Sequence, residues 1–372
     1  MRVLIYAPAA QMGGARAHVV GVVPELANLT PADEFLLMAQ PSLLQDLPTL
    51  PENWTLTAER APHRSFFGRL LWEQRVLPRL ADQWRADVLL SFGSFVPLRA
   101  PCVTVLEAAN ALYFTHVYWQ ALERESVRLR LQERARWSLL RASLRAAERV
   151  LVPTRAMRQD VVVRLPDLIA KVDVALWGVS DRFHAARWTP PPGDSVLGVS
   201  NHGINKEFEV MVQALAALRQ QLPDLRLVFT GSPNESRYSR RTVGRARAAG
   251  VEPLICFTGE LPNADMPALV GRSRILVYPT WCESFGLPLA EALAMGAPAI
   301  AADIPACREV GGDTARYYAP GDAASMASRI HELIAAPDEA LALASAARER
   351  GRQFTWRSNA EGVLQTLRKA VR

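Results

Sequence analysis

The chain has 372 residues, 49% of them hydrophobic and 22% charged, with a formal net charge of +6. That length suits two ordinary cores rather than one, and the excess of base over acid favours an anionic partner. No apolar stretch is long enough to span a bilayer, the four cysteines lack metal-ligand spacing, and no nucleic-acid module accompanies the arginines between Arg124 and Arg149.

Met1-Arg2 leads straight into Val3-Leu4-Ile5-Tyr6, an apolar run too short for a signal peptide, so a cytoplasmic first strand is expected. The strand breaks at Pro8, and a loop with Gly13-Gly14 precedes a helical pattern through Val19, Val20, Val23 and Leu26. Strand, glycine loop and helix open a doubly wound α/β unit, whose ligands gather at the carboxyl ends of its strands. The loop is not a G-x-G-x-x-G fingerprint, so no dinucleotide cofactor is expected. Strands are expected at Phe35–Met38, Val88–Ser91, Pro101–Leu106, Arg149–Val152 and Lys171–Leu176, with helices at Leu70–Trp84, along the arginine-rich run and from near Ala156. Thr189-Pro190-Pro191-Pro192-Gly193 fits neither a helix nor a central strand and reads as a semi-rigid linker. A second α/β unit follows, with strands at Val196–Ser200, Leu225–Thr230 and Leu254–Thr258 and a helix at Phe208–Leu218. Helices are expected again around Ala324–Ala335, Glu339–Arg350 and Trp356–Val371.

The most informative stretch runs from Ile275 to Asp303. Ile275-Leu276-Val277-Tyr278 reads as a buried strand that Pro279 ends. Pro288 suits a first helical position, and Gly296 with Pro298 closes the helix. The backbone N–H groups of Phe285, Gly286 and Leu287 then point from a helix N-terminus, a geometry that suits an anion. Two carboxylates, Glu283 and Glu291, frame this turn. Phosphate alone accounts for neither. A ligand with phosphate in its middle and hydroxyl-rich groups at both ends accounts for both. The plainer alternatives are that Glu283 caps the helix and Glu291 is a solvated face residue.

Glu283-Ser-Phe-Gly-Leu-Pro-Leu-Ala-Glu291, flanked by Tyr278-Pro-Thr and Met295-Gly-Ala-Pro, resembles the E-x7-E signature of retaining, nucleotide-sugar-dependent glycosyltransferases of the GT-B fold, family 4. The resemblance implies an α/β architecture of two Rossmann-like doubly wound domains facing each other across a cleft. It implies an acceptor-binding domain at 1–182, a linker at 183–194, a nucleotide-sugar-binding domain at 195–354 and a terminal helix at 355–372 returning to the first domain. It makes Lys206 the phosphate lysine, Glu283 the catalytic candidate against the donor sugar and Glu291 the ribose acceptor. Asn201, Gly231, Glu260, Leu261, Ser284, Phe285, Gly286 and Leu287 join the donor site, together with Gly13 and Gly14. The family's arginine five residues before the lysine is Asn201 here, so Arg16 or another base would supply its charge. The family's histidine after the strand Val103–Leu106 is replaced by Leu106 and Glu107, which leaves Glu107, Asn110, His116 and Arg16 as acceptor-side candidates. His18 and His202 are single histidines, for which a structural role is the ordinary expectation.

No D-x-D pair occurs in the chain, so no metal clamp on the diphosphate is expected, and the nucleotide sugar enters as substrate with no cofactor beside it. The implied reaction moves a hexose, mannose-like by its resemblance to enzymes building bacterial surface polysaccharides with GDP-mannose, to a hydroxyl of a glycan or lipid-linked acceptor. A UDP donor is the other option. The expected location is cytoplasmic, with peripheral contact on an anionic membrane face through the arginine-rich helix, and no nucleic-acid partner. Two other classes stay open: a sugar-nucleotide epimerase or hydrolase, and a non-catalytic nucleotide-sugar-binding module.

Overall fold

The computed structural model describes residues 1–8, 13–58, 66–93 and 95–372. Residues 9–12 of the expected glycine loop lie outside them. The chain divides into two compact units, one formed by Met1–Gly178 with Thr355–Arg372, the other by Val179–Phe354.

Among the described residues, the first unit has a parallel sheet of seven strands, β1 (Arg2–Ala7), β2 (Glu34–Ala39), β3 (Trp54–Ala58), β4 (Val88–Ser91), β5 (Val103–Glu107), β6 (Arg149–Val152) and β7 (Val172–Val174). Their order is β3-β2-β1-β4-β5-β6-β7, so the winding reverses between β1 and β4. Val3, Leu4, Ile5 and Tyr6 of β1 are all fully buried, as a parallel strand covered on both faces requires. β3 has no counterpart in the sequence reading. It is an edge strand in which only Trp54 is buried, stacked on Phe35 at 4.2 Å, so Thr-Leu-Thr carries no apolar run.

The helix Gly13–Leu29 begins at the paired glycines themselves. The last helix, Trp356–Ala370, packs on it, with Val363, Leu364 and Leu367 joining Val19, Val22, Val23 and Leu26 in one core. Ala360, Val363, Leu364 and Leu367 recur at helical spacing, so one stripe faces that core. The chain leaves this unit and re-enters it at one tight point. A Cβ on Gly178 would lie 2.3 Å from the Trp356 nitrogen, so only glycine fits. The arginine-rich run is two helices, His116–Glu123 and Val127–Ala146, because Ser126 caps a new start by accepting from Leu129 N at 3.3 Å.

Among the described residues, the second unit has six parallel strands, β8 (Ser195–Gly198), β9 (Arg226–Phe229), β10 (Ile255–Phe257), β11 (Ile275–Tyr278), β12 (Ala299–Ala302) and β13 (Arg316–Tyr318). They are ordered β10-β9-β8-β11-β12-β13, and the winding reverses between β8 and β11. Val196, Leu227, Phe229, Val277 and Ile300 pack with Met211, Leu215 and Ile330 from the covering helices. The helix Arg237–Ala248 went unread because five arginines mask its apolar face; a Ser236–Ser239 capping box starts it. The expected linker is only partly irregular. Asp181–Ala185 is a short helix, and Trp188 is buried in this unit with its Nε1 donating to Ser273 O at 2.8 Å.

Candidate functional site

In open α/β sheets, ligands sit beyond the carboxyl ends of the strands at the point where the order reverses. In the second unit that point lies between β8 and β11, and the two following loops are stitched together there. Residues 206 and 280 pair as an isolated antiparallel bridge. Glu207 N donates to Pro279 O and Trp281 N to Asn205 O, both at 3.0 Å.

This brings Lys206 and Glu283 into contact. The Lys206 ammonium forms an ion pair with Glu283 Oε1, donates to the Tyr278 hydroxyl at 3.2 Å and sits 4.6 Å from that ring's centre. Both side chains are largely enclosed, with relative exposures of 6% and 14%. Burial pushes the Tyr278 phenol well above its usual range. Glu283 does not cap the helix behind it; that helix, Leu287–Met295, has no side-chain cap.

Gly286 precedes the helix with φ +97°, a left-handed conformation, and a Cβ there would sit 3.2 Å from Tyr278 Cε1. The positive φ calls for glycine, and the ring would make a Cβ contact tight. Leu287 is the first helical residue and Pro288 the second, one place later than expected, and Gly296 closes the helix in the left-handed region. Among the described residues no hydrogen bond satisfies the N–H groups of Gly286 and Leu287. The Phe285 side chain is fully buried and packs edge-on against Phe354 at 5.7 Å, so its contribution to a ligand is limited to its backbone.

Glu291 lies on the second turn of this helix. It is half-buried, and among the described residues it has neither a hydrogen bond nor an ion pair. Desolvation pushes its carboxyl up to about 8. A solvated face residue would not be shifted this way.

The remaining donor-side candidates of this unit lie in its strand-end loops. Asn201 is exposed after β8, with its Oδ1 accepting from Ser200 Oγ at 3.2 Å. Gly231 and Gly259, after β9 and β10, bridge each other at 3.1 and 3.0 Å, both with positive φ. Glu260 is exposed and Leu261 and Ser284 are half-buried. His202 is a core residue, stacked on Phe208 at 4.2 Å with Nε2 on Thr230 O at 3.1 Å, and burial lowers its pKa.

In the first unit, Gly13 has φ +62° and opens the helix, followed by Gly14. Arg16 donates to Asp46 at 2.8 Å and to Ser42 O at 2.6 Å, so its charge is already matched. Asn110 caps a short turn by accepting from Leu112 N at 3.1 Å, and His116 is exposed at the start of its helix. Glu107 needs correction as an acceptor-side candidate. It is 4% exposed, with Oε1 accepting from Trp177 Nε1 at 2.9 Å and Oε2 lying 3.2 Å from His18 Nδ1. His18 in turn meets Asn359 Oδ1 at 3.0 Å and stacks on Trp177. Both carboxylate oxygens are spent inside this unit, where they join four segments of chain.

Asn205 and Thr280 reach Glu283 at 3.2 and 3.0 Å and were missed by sequence reading. Their only signals were adjacency to Lys206 and the Tyr278-Pro-Thr flank.

Both halves of the chain match family models of known proteins. Residues 12–182 match the family model described as Glycosyltransferase Family 4, and residues 186–350 the model described as Glycosyl transferases group 1. A D-inositol 3-phosphate glycosyltransferase of Salinispora arenicola is 29% identical over 302 residues, covering 68% of this chain and 66% of that protein. The chain spans less than two thirds of the length of this and the next curated relatives it matches. Among solved structures, sucrose-phosphate synthase from Thermosynechococcus elongatus has a TM-score of 0.77 at 17% identity, covering 99% of this chain and 98% of that one. Anabaena HepE, solved with UDP-glucose, has a TM-score of 0.76 at 16% identity, covering 99% and 100%. Both share its fold. With a family 4 domain followed by a group 1 domain on that fold, the chain belongs to the GT-B glycosyltransferases of family 4.

Proposed function

We propose that the chain transfers a hexose from a nucleoside diphosphate sugar to a hydroxyl of a glycan or lipid-linked acceptor, with retention and without a metal, in cell-surface glycan or glycolipid synthesis. The observation that carries this reading is the meeting of Lys206, Glu283 and the unfilled N–H groups of Gly286 and Leu287 beyond β8 and β11. Lys206 and the helix N-terminus would hold the diphosphate and stabilise it as it leaves. Glu283 would meet the donor sugar and the positive charge that develops there. Glu291 would accept from ribose hydroxyls.

The Val199-Ser-Asn…Lys206 pattern and the Asn110 segment resemble enzymes that use GDP-mannose, whereas the Anabaena HepE complex holds UDP-glucose. A thermal-shift comparison of GDP, UDP and dTDP distinguishes these bases. On the first unit, Val127 and Leu131 are each 60% exposed beside Arg124, Arg128 and Arg134, which supports contact with an anionic membrane surface.

The test is incubation with a panel of nucleotide sugars and detection of released nucleoside diphosphate. Release that rises with a hydroxyl acceptor supports transfer. Binding without release from any donor favours a non-catalytic module, and an isomerised sugar nucleotide favours an epimerase.

A further inference from the structure

Glu283 is held by more than Lys206. Asn205 Nδ2 lies 3.2 Å from Glu283 Oε1 and donates to Cys282 O at 2.8 Å. Thr280 Oγ1 lies 3.0 Å from the same Oε1. Lys206, Asn205 and Thr280 therefore converge on one carboxylate oxygen.

The three donors differ in what fixes them. Thr280 is fully buried. Its N–H donates to the Tyr318 hydroxyl at 3.2 Å, and that hydroxyl donates to Glu207 Oε2 at 2.6 Å. The Asn205 carbonyl accepts from Trp281 N at 3.0 Å and lies 3.1 Å from Thr280 Oγ1. Asn205 is thus locked by a main-chain bond between the two loops, and Thr280 by its N–H on the Tyr318 hydroxyl. Lys206 instead ends in a compact ammonium on a flexible four-carbon stem, able to turn towards a second anion.

A bound diphosphate would compete with Glu283 for that ammonium. A carboxylate so enclosed cannot cheaply lose every donor, since an unsatisfied charged group carries its full desolvation cost. Asn205 and Thr280 are the donors that stay. We propose that they are positioning residues, which hold Glu283 in place when Lys206 passes from Glu283 to the diphosphate of the donor. This inference rests on the donor-site reading of Lys206 given above.

The experiment separates the two levels. Calorimetric titration of the full chain with UDP and with GDP comes first, and binding of neither overturns the donor site and this inference together. With binding in hand, a crystal structure of the diphosphate complex is expected to show Lys206 Nζ on phosphate and Glu283 Oε1 still on Asn205 and Thr280. Lys206 on phosphate with Glu283 displaced from both residues overturns this inference alone.

Substitution gives the energetic readout. Thr280→Val is expected to lower kcat about tenfold, the effect of one hydrogen bond, with nucleoside diphosphate Kd within about threefold. Thr280→Ser keeps the hydroxyl and is expected to stay within about threefold of the parent in kcat. An unchanged kcat in Thr280→Val, or an equal loss in both variants, would overturn the assignment.

Discussion

Each unit sets an acidic side chain against a basic one near the carboxyl end of a strand, and the two pairs are built differently. In the first unit, Glu107 and His18 have relative exposures of 4% and 2% and are sealed by Trp177 and Asn359, with a partner on each Glu107 oxygen. In the second unit, Lys206, Asn205 and Thr280 crowd one oxygen of Glu283, and beside it lie unfilled N–H groups and the unpaired Glu291. A satisfied pair holds a fold together. A pair beside unfilled donors and an unpaired carboxylate can receive a ligand. Proximity of an acid to a base does not separate the two cases; the neighbouring groups do.

The comparison breaks most visibly at Glu283. Glu283→Ala is expected to lower turnover by about a thousandfold while nucleoside diphosphate affinity, read by calorimetry, is kept or rises, because Lys206 loses its competing partner. Unchanged turnover would remove Glu283 from the chemistry. Glu107→Ala should do the opposite. Removing one member of a buried pair costs about 3–5 kcal/mol of stability, readable by denaturant unfolding, with no change in diphosphate affinity. Lost affinity at preserved stability would return Glu107 to the site.

Gly286→Ala sharpens the second half of the comparison. Its positive φ and the nearby Tyr278 ring predict about 1–3 kcal/mol of strain, together with weaker diphosphate binding as the turn shifts. The last concerns the pH dependence set by Glu291. Its carboxyl titrates at about 8 in the fold, above the ordinary carboxylate value, so between those values the folded state holds a proton that the unfolded chain has lost. Stability therefore falls as pH rises from about 4.5 to 8, by at most about 1.4 kcal/mol per pH unit. Glu291→Gln should flatten that slope in urea titrations across this range, and an unchanged slope would assign it to other groups.

Much of the fold was legible because parallel strands are short, wholly apolar runs. Val88–Ser91 and the helix Phe208–Leu218 have the expected bounds. β3 and β13 were not legible: Trp-Thr-Leu-Thr-Ala and Arg-Tyr-Tyr lie at sheet edges, where one neighbour strand suffices and apolar continuity is not required. At the site, Glu283, Gly286 and Glu291 stood out through chemistry that is odd for a turn. Asn205 and Thr280 did not, since their role comes from loop pairing across 75 residues of sequence. Glu107 misled because an acidic residue at a strand end looks the same in sequence whether or not it is sealed.

In the reading proposed above, the second unit holds a diphosphate through Lys206 and the helix start at Leu287. Calorimetric titration of UDP or GDP into the full chain and into its Lys206→Met variant tests it most directly. The expected dissociation constant is about thirtyfold weaker in the variant, as befits the loss of a charge-assisted contact of about 2 kcal/mol. Equal affinity in the two proteins would contradict it.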